Sequence, residues 1–159
     1  SMIYKLAREN NKYPGSDIWG FFNTKVKDYC IKPGYRNILI IITDGYMYHE
    51  DSKIIEANKT SYITPSLIRD FKLNNSDFKN RFSSKGFGFI AKRADLKDLN
   101  VLVLGVNPSK DNNYDEELLR LFWSSWFNEM GIKSYQIKSA DLPSYLDEVI
   151  KNYILIEQG

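Results

Sequence analysis

Two continuous apolar runs constrain this chain more than any other feature. They are N-I-L-I-I-I-T at 37–43 and N-V-L-V-L-G-V at 100–106. A strand with one wet face alternates apolar and polar residues. An unbroken, β-branched run fits a strand covered on both faces, as in a parallel sheet. A third segment, S-Y-Q-I-K at 134–138, does alternate and reads as an edge strand.

Helical patterns separate and follow these strands. Ile18, Phe21, Phe22, Val26 and Tyr29 share one helical face, with Ser16 ahead of them as N-cap and Pro33-Gly34 as the stop. Residues 115–130 form a second pattern, acidic at its start (Asp115, Glu116, Glu117), as the helix dipole favours, and ended by Gly131. A third covers about 142–154, with Asp141 as cap and Pro143 in its first turn. Residues 2–9 read as a further helix. The order strand, helix, strand, helix from residue 100 onward predicts α/β layering. The expected fold is a three-layer, Rossmann-like, mainly parallel sheet flanked by helices.

The stretch at about 45–98 is less regular. Residues 53–56 and 61–64 flank a hairpin turn at 57–60, and 65–71 fit a short helix. Residues 74–85 are polar and loop-like, and 86–89 read as a loop or weak strand. The region is expected to be an elaboration inside one domain spanning 1–159, or inside a fragment of one.

Composition narrows the function classes. A chain of 159 residues with 43% hydrophobic content suits one folded domain. Its formal net charge of +2 gives no electrostatic footprint for nucleic acid or anionic lipid. A single cysteine, Cys30, excludes internal disulfides and multi-cysteine zinc sites, and it reads as a packed thiol. No apolar run approaches the roughly 18 residues that a membrane span needs, so direct membrane insertion is not expected.

The residues most suggestive of chemistry sit at the end of the first run. Asp44, in Ile38-Leu39-Ile40-Ile41-Ile42-Thr43-Asp44-Gly45, places a carboxylate at the carboxyl edge of the sheet, where open α/β sheets bind ligands. Asp-Gly is also a common turn pair, so a purely structural turn is the competing reading. Upstream, Gly15-Ser16-Asp17-Ile18-Trp19 opens the helix that leads into this strand. Together these segments resemble the von Willebrand factor type A family, in which a Gly-Thr-Asp-Leu-like helix start precedes an apolar strand ending in Thr-Asp-Gly. The later order of strand, helix, strand and helix matches as well.

The resemblance implies a binding or adhesion module with a metal-ion-dependent adhesion site, usually holding Mg²⁺. Asp44 and Ser16 match two of its three loops, with Asp17 a lesser candidate ligand. Ser16 keeps the hydroxyl that a hard cation accepts. The family's first loop, Asp-x-Ser-x-Ser, does not occur in the 159 residues. The expected site is therefore degenerate or truncated, with weak metal binding or none. The chain is read either as a piece of a longer protein or as a relative without the metal. The resemblance favours a cell-envelope or extracytoplasmic location and a non-enzymatic role.

The rival reading is a hydrolase or nucleic-acid-processing enzyme using a strand-edge cleft around Asp44 and Asn107. Gly105-Val106-Asn107-Pro108-Ser109 resembles a loop of uracil-DNA glycosylases, although a strand-end Asn-Pro turn explains it equally. His49-Glu50-Asp51 reads as a solvated loop. Trp123, Trp126 and Phe127 lie on a helix apolar around much of its circumference. They fit either a deep core or a surface for a packing partner.

Overall fold

The computed structural model describes residues 14–108, 112–139 and 146–155. Six strands occur among them: β1 (Asn37–Ile42), β2 (Ile55–Glu56), β3 (Lys59–Thr60), β4 (Gly88–Phe89), β5 (Leu99–Val106) and β6 (Ser134–Ser139). The helices are α1 (Ile18–Thr24), α2 (Val26–Cys30), α3 (Pro65–Asp70), α4 (Phe78–Lys85), α5 (Asp115–Glu129) and α6 (Leu146–Leu155). The expected helix at 2–9, the Asp141 cap and Pro143 lie outside the described residues.

The three predicted strands form one sheet in the order β1-β5-β6, parallel throughout. Asn37 pairs with Leu99 and Ile42 with Leu104, so the two apolar runs lie side by side. β6 is an edge strand, as its alternation predicts. Among the described residues β1 is the other edge.

The period-2 alternation of the central strand divides the core. Val101 and Val103 of β5 join α1, α2 and α5 in a large cluster on one face. Leu102 and Leu104 turn to the opposite face and meet Tyr153 of α6, with Ile38, Ile40, Val149 and Ile150 packed around them. Helices therefore cover both faces, but unequally.

The heavier face is built on aromatic rings. Trp123 and Trp126 are both fully buried, with centroids 5.9 Å apart, and Phe89 packs edge-on against Trp126 at 5.3 Å. The Trp19 and Trp126 indole N–H groups both donate to the Ile90 carbonyl, at 2.8 and 3.1 Å. This settles the reading of α5: neither indole is presented to a partner, because the monomer already encloses both.

Residues 45–98 correct one expectation, the loop at 74–85. Phe78, Phe82, Phe87, Phe89, Ile63, Ile68 and Leu96 from this stretch are all buried in the main cluster. The region thus supplies part of the main core. The polar segment expected to be a loop contains α4, whose two buried phenylalanines, Phe78 and Phe82, lie four residues apart on one face. Its Lys, Asn and Ser residues fill the outer face, while Arg81 is half-buried and donates to the Phe71 carbonyl at 3.3 Å. The hairpin is present but tighter than predicted: β2 pairs with β3 around Ala57 and Asn58, so 59–60 belong to a strand, with β4 added in parallel.

Candidate functional site

The carboxyl end of β1 and the start of α1 meet at one cavity. It has a volume of about 370 Å³ and is lined by Gly15, Ser16, Ile18, Ile42, Thr43, Asp44, Tyr46, Met47 and Tyr48. Ser16 and Asp44, picked out from separate segments of the sequence, therefore share one lining. Asn107 is not part of it, although its backbone N–H donates to the Asp44 carbonyl at 2.9 Å.

The Thr43-Asp44-Gly45-Tyr46 loop is held from several directions. Asp44 Oδ1 accepts the Tyr46 amide at 3.0 Å, and Thr43 Oγ1 accepts the Gly45 amide at 3.1 Å. These are the local side-chain-to-backbone bonds that Asp and Thr favour in turns. The turn bond uses Oδ1, so the turn reading does not exclude the ligand reading of Asp44. The buried Trp123 indole donates to the Gly45 carbonyl at 2.8 Å, fastening the loop to α5. Gly45 has φ +100°, and a Cβ there would lie 3.0 Å from Leu119 Cδ1 and 3.1 Å from Val106 Cγ1. Both the backbone angle and the close packing call for glycine.

The Tyr46 hydroxyl donates to Asp115 Oδ2 at 2.9 Å. Asp115 is only 3% exposed, and its other oxygen accepts from the Asn112 amide group. The acidic start of α5 thus contributes more than a helix-dipole effect: its first residue anchors the site loop. Nothing in the local sequence links Tyr46 with Asp115, because the contact spans 69 residues.

The α1 end of the cavity corrects the predicted cap. The helix begins at Ile18, and its N-cap is Asp17, whose Oδ1 accepts the Gly20 amide at 3.0 Å. Ser16 stands one residue earlier, its carbonyl accepting the Ile18 amide at 2.8 Å. Asp17 Oδ1 caps the helix and also accepts the Ser52 hydroxyl at 2.8 Å.

His49, Ser52 and Asp17 come together, a grouping not foreseen from sequence. Ser52 Oγ lies 3.2 Å from His49 Nδ1, and that nitrogen also accepts the Asp51 amide at 3.3 Å. The order is unsuited to nucleophilic catalysis: the hydroxyl lies between carboxylate and imidazole and donates its proton to Asp17. The cluster instead holds a short 3₁₀ turn (Glu50–Ser52) against the start of α1. The three-residue spacing of His49 and Ser52 was the only local hint.

Ser16 and Asp44 are both oxygen donors of the kind Mg²⁺ takes, and Mg²⁺ commonly binds through one or two protein oxygens while keeping several waters. Among the described residues, no group of three or more His, Cys, Asp or Glu side chains is arranged to hold a metal. The residues present fit a partial site that is open toward solvent. No family model, curated protein or solved structure matches the chain.

Proposed function

We propose that this domain is a binding module of von Willebrand A-like type, with a degenerate or truncated adhesion site at the carboxyl end of β1. The observation that carries the reading is the shared cavity: Ser16 and Asp44 line it together, on a loop and a helix start that the fold fastens independently. Ser16 and Asp44 would hold Mg²⁺ there, and the ion would supply the charge and open position that accept a partner's carboxylate, with Tyr46 and Tyr48 lining the same cavity. No turnover is required.

Titrating Mg²⁺ into the isotope-labelled chain tests the reading by NMR. Weak, saturable shifts are expected at Ser16, Asp44 and Gly45. They should strengthen when a small carboxylate is added and vanish in Asp44→Ala. If these amides stay unmoved up to tens of millimolar Mg²⁺, a concentration that covers weak oxygen-only sites, the metal reading fails.

A hydrolytic or nucleic-acid-processing role is the second reading. It draws on the apposition of Asp44 and Asn107 through their backbones. Turnover of any ester, phosphoester or glycosidic substrate that is lost in Asp44→Ala would favour it over the binding module.

A further inference from the structure

We propose that two copies of this chain associate through β1, strand against strand and antiparallel, about a two-fold axis at Ile40. The sheet order leaves β1 at an edge, and among the described residues no strand pairs with its outer side. Two hydrogen bonds fix which of its backbone groups point outward. The Thr43 amide donates to the Leu104 carbonyl at 3.0 Å, and the Asn37 carbonyl accepts from the Asn100 side chain at 2.9 Å. Odd-numbered residues therefore face β5, and by alternation Ile38, Ile40 and Ile42 turn their N–H and C=O groups away from it.

Sheet edges of monomeric proteins are usually blunted by lysine, proline, a bulge or an inward-pointing charge. β1 reads N-I-L-I-I-I, has none of these residues, and keeps an unbroken register with β5. Ile42 is 78% exposed. A groove of about 360 Å³ runs along the strand between Leu39, Ile42 and the α1 residues Ile18 and Phe21, so the edge is open to a neighbour.

The identity of that neighbour follows from the segment itself. Arg36 and Asp44 lie equally far from Ile40 on either side, and both are exposed. The Arg36 guanidinium is fixed in place by the carbonyls of Tyr153 and Ile154, at 2.7 and 2.5 Å. Antiparallel pairing centred on Ile40 sets Ile38 opposite Ile42, and brings Arg36, just before β1 in each copy, toward Asp44, just beyond β1 in the other. Every outward backbone position then meets another outward position, as hydrogen-bonded pairs require. A shift by one residue sets outward positions against inward ones, and a shift by two sets Arg36 against a neutral residue. Parallel pairing in the same register brings like charges together. Only one register satisfies backbone, isoleucines and charges at once.

Sedimentation equilibrium of the full chain over a concentration series tests the proposal. A monomer–dimer equilibrium is expected, weakened by salt. Ile42→Lys should weaken it about tenfold or more, since a charge replaces an apolar cross-strand contact. The exposure of Ile42 means that this variant should keep the parent's circular dichroism. Register is tested by oxidative cross-linking in a Cys30→Ser background. Ile40→Cys should link to itself, because hydrogen-bonded antiparallel Cα atoms lie about 5.5 Å apart, within disulfide reach. Ile38→Cys should not, because its two copies stand about 13 Å apart in this register. A chain that stays monomeric at about 1 mM, the weak end of specific association, overturns the proposal. So does a dimer unchanged by Ile42→Lys, or a monomer whose Ile38, Ile40 and Ile42 amides are protected from exchange, which places another segment of the same chain on the edge. The Arg36 pair across the dimer and a bound Mg²⁺ would draw on the same Asp44 carboxylate, so the sedimentation series is run in EDTA and its outcome is read separately from that of the Mg²⁺ titration.

Discussion

At the scale of single residues, the fold rests on large side chains with polar tips that each find a carbonyl. Trp126 is fully buried, touches Phe22, Phe89 and Trp123, and spends its N–H on Ile90. Trp126→Ala should lower stability by about 3–5 kcal/mol in urea denaturation, and a loss below about 1 kcal/mol would contradict a core role. Glu116 offers a test by pH. Its carboxyl is held below the usual range, first by the Ser139 hydroxyl at 2.6 Å and then by Arg120 at 3.0 Å. A depressed folded-state pKa contributes stability that is present above the unfolded carboxyl value and lost as pH falls through the folded one. The parent should therefore exceed Glu116→Gln in urea midpoint at neutral pH, and the two should converge under acid. A constant gap across pH would contradict the assignment.

At the scale of elements, caps and stops decide where helices lie. Asp17, not Ser16, bonds the Gly20 amide of α1, so Asp17→Ala should cost about 1 kcal/mol through the cap alone. The denaturant midpoint of this variant checks it, and an unchanged midpoint would contradict the Asp17 cap. A hydroxyl and a carboxylate adjacent in sequence are nearly equivalent as caps, so the local pattern could not separate them. The packing of the 3₁₀ turn did, because Ser52 bonds to Asp17 as well. The break between α1 and α2 at Lys25 was hidden for a related reason. Ile18, Phe22 and Val26 keep a continuous apolar face across it, so periodicity reports one helix where the backbone makes two.

At the scale of the whole molecule, the two sheet faces are protected to different degrees. One is covered by α1, α2, α5 and most of the 45–98 region, the other by α6. α6 is held by Tyr153, whose hydroxyl donates to the Val101 carbonyl at 2.9 Å, and by Arg36 at its last carbonyls. Its Ile154 and Leu155 remain exposed. Hydrogen exchange should show α6 amides opening well before those of β5 and α5, as a partial unfolding that leaves the larger core intact. Equal protection of α6 and β5 would show instead that the two faces unfold as one unit. No helix among the described residues is long and apolar enough to cross a membrane.

The sequence by itself determined the parallel sheet. Unbroken β-branched runs at 37–42 and 99–106 are poorly suited to a half-wet sheet, and the alternation at 134–139 suits an edge. It also pointed to Ser16 and Asp44, because ligand chemistry at the end of a buried strand requires particular side chains in a short span. Only the tertiary structure decided that these two line one cavity, that Asp115 anchors Tyr46, and that Phe78 and Phe82 draw a polar segment into a helix. Those contacts join residues far apart in the chain, and their energies depend on burial and hydrogen-bond geometry. Neither quantity exists until the elements have packed, so no local pattern can encode it.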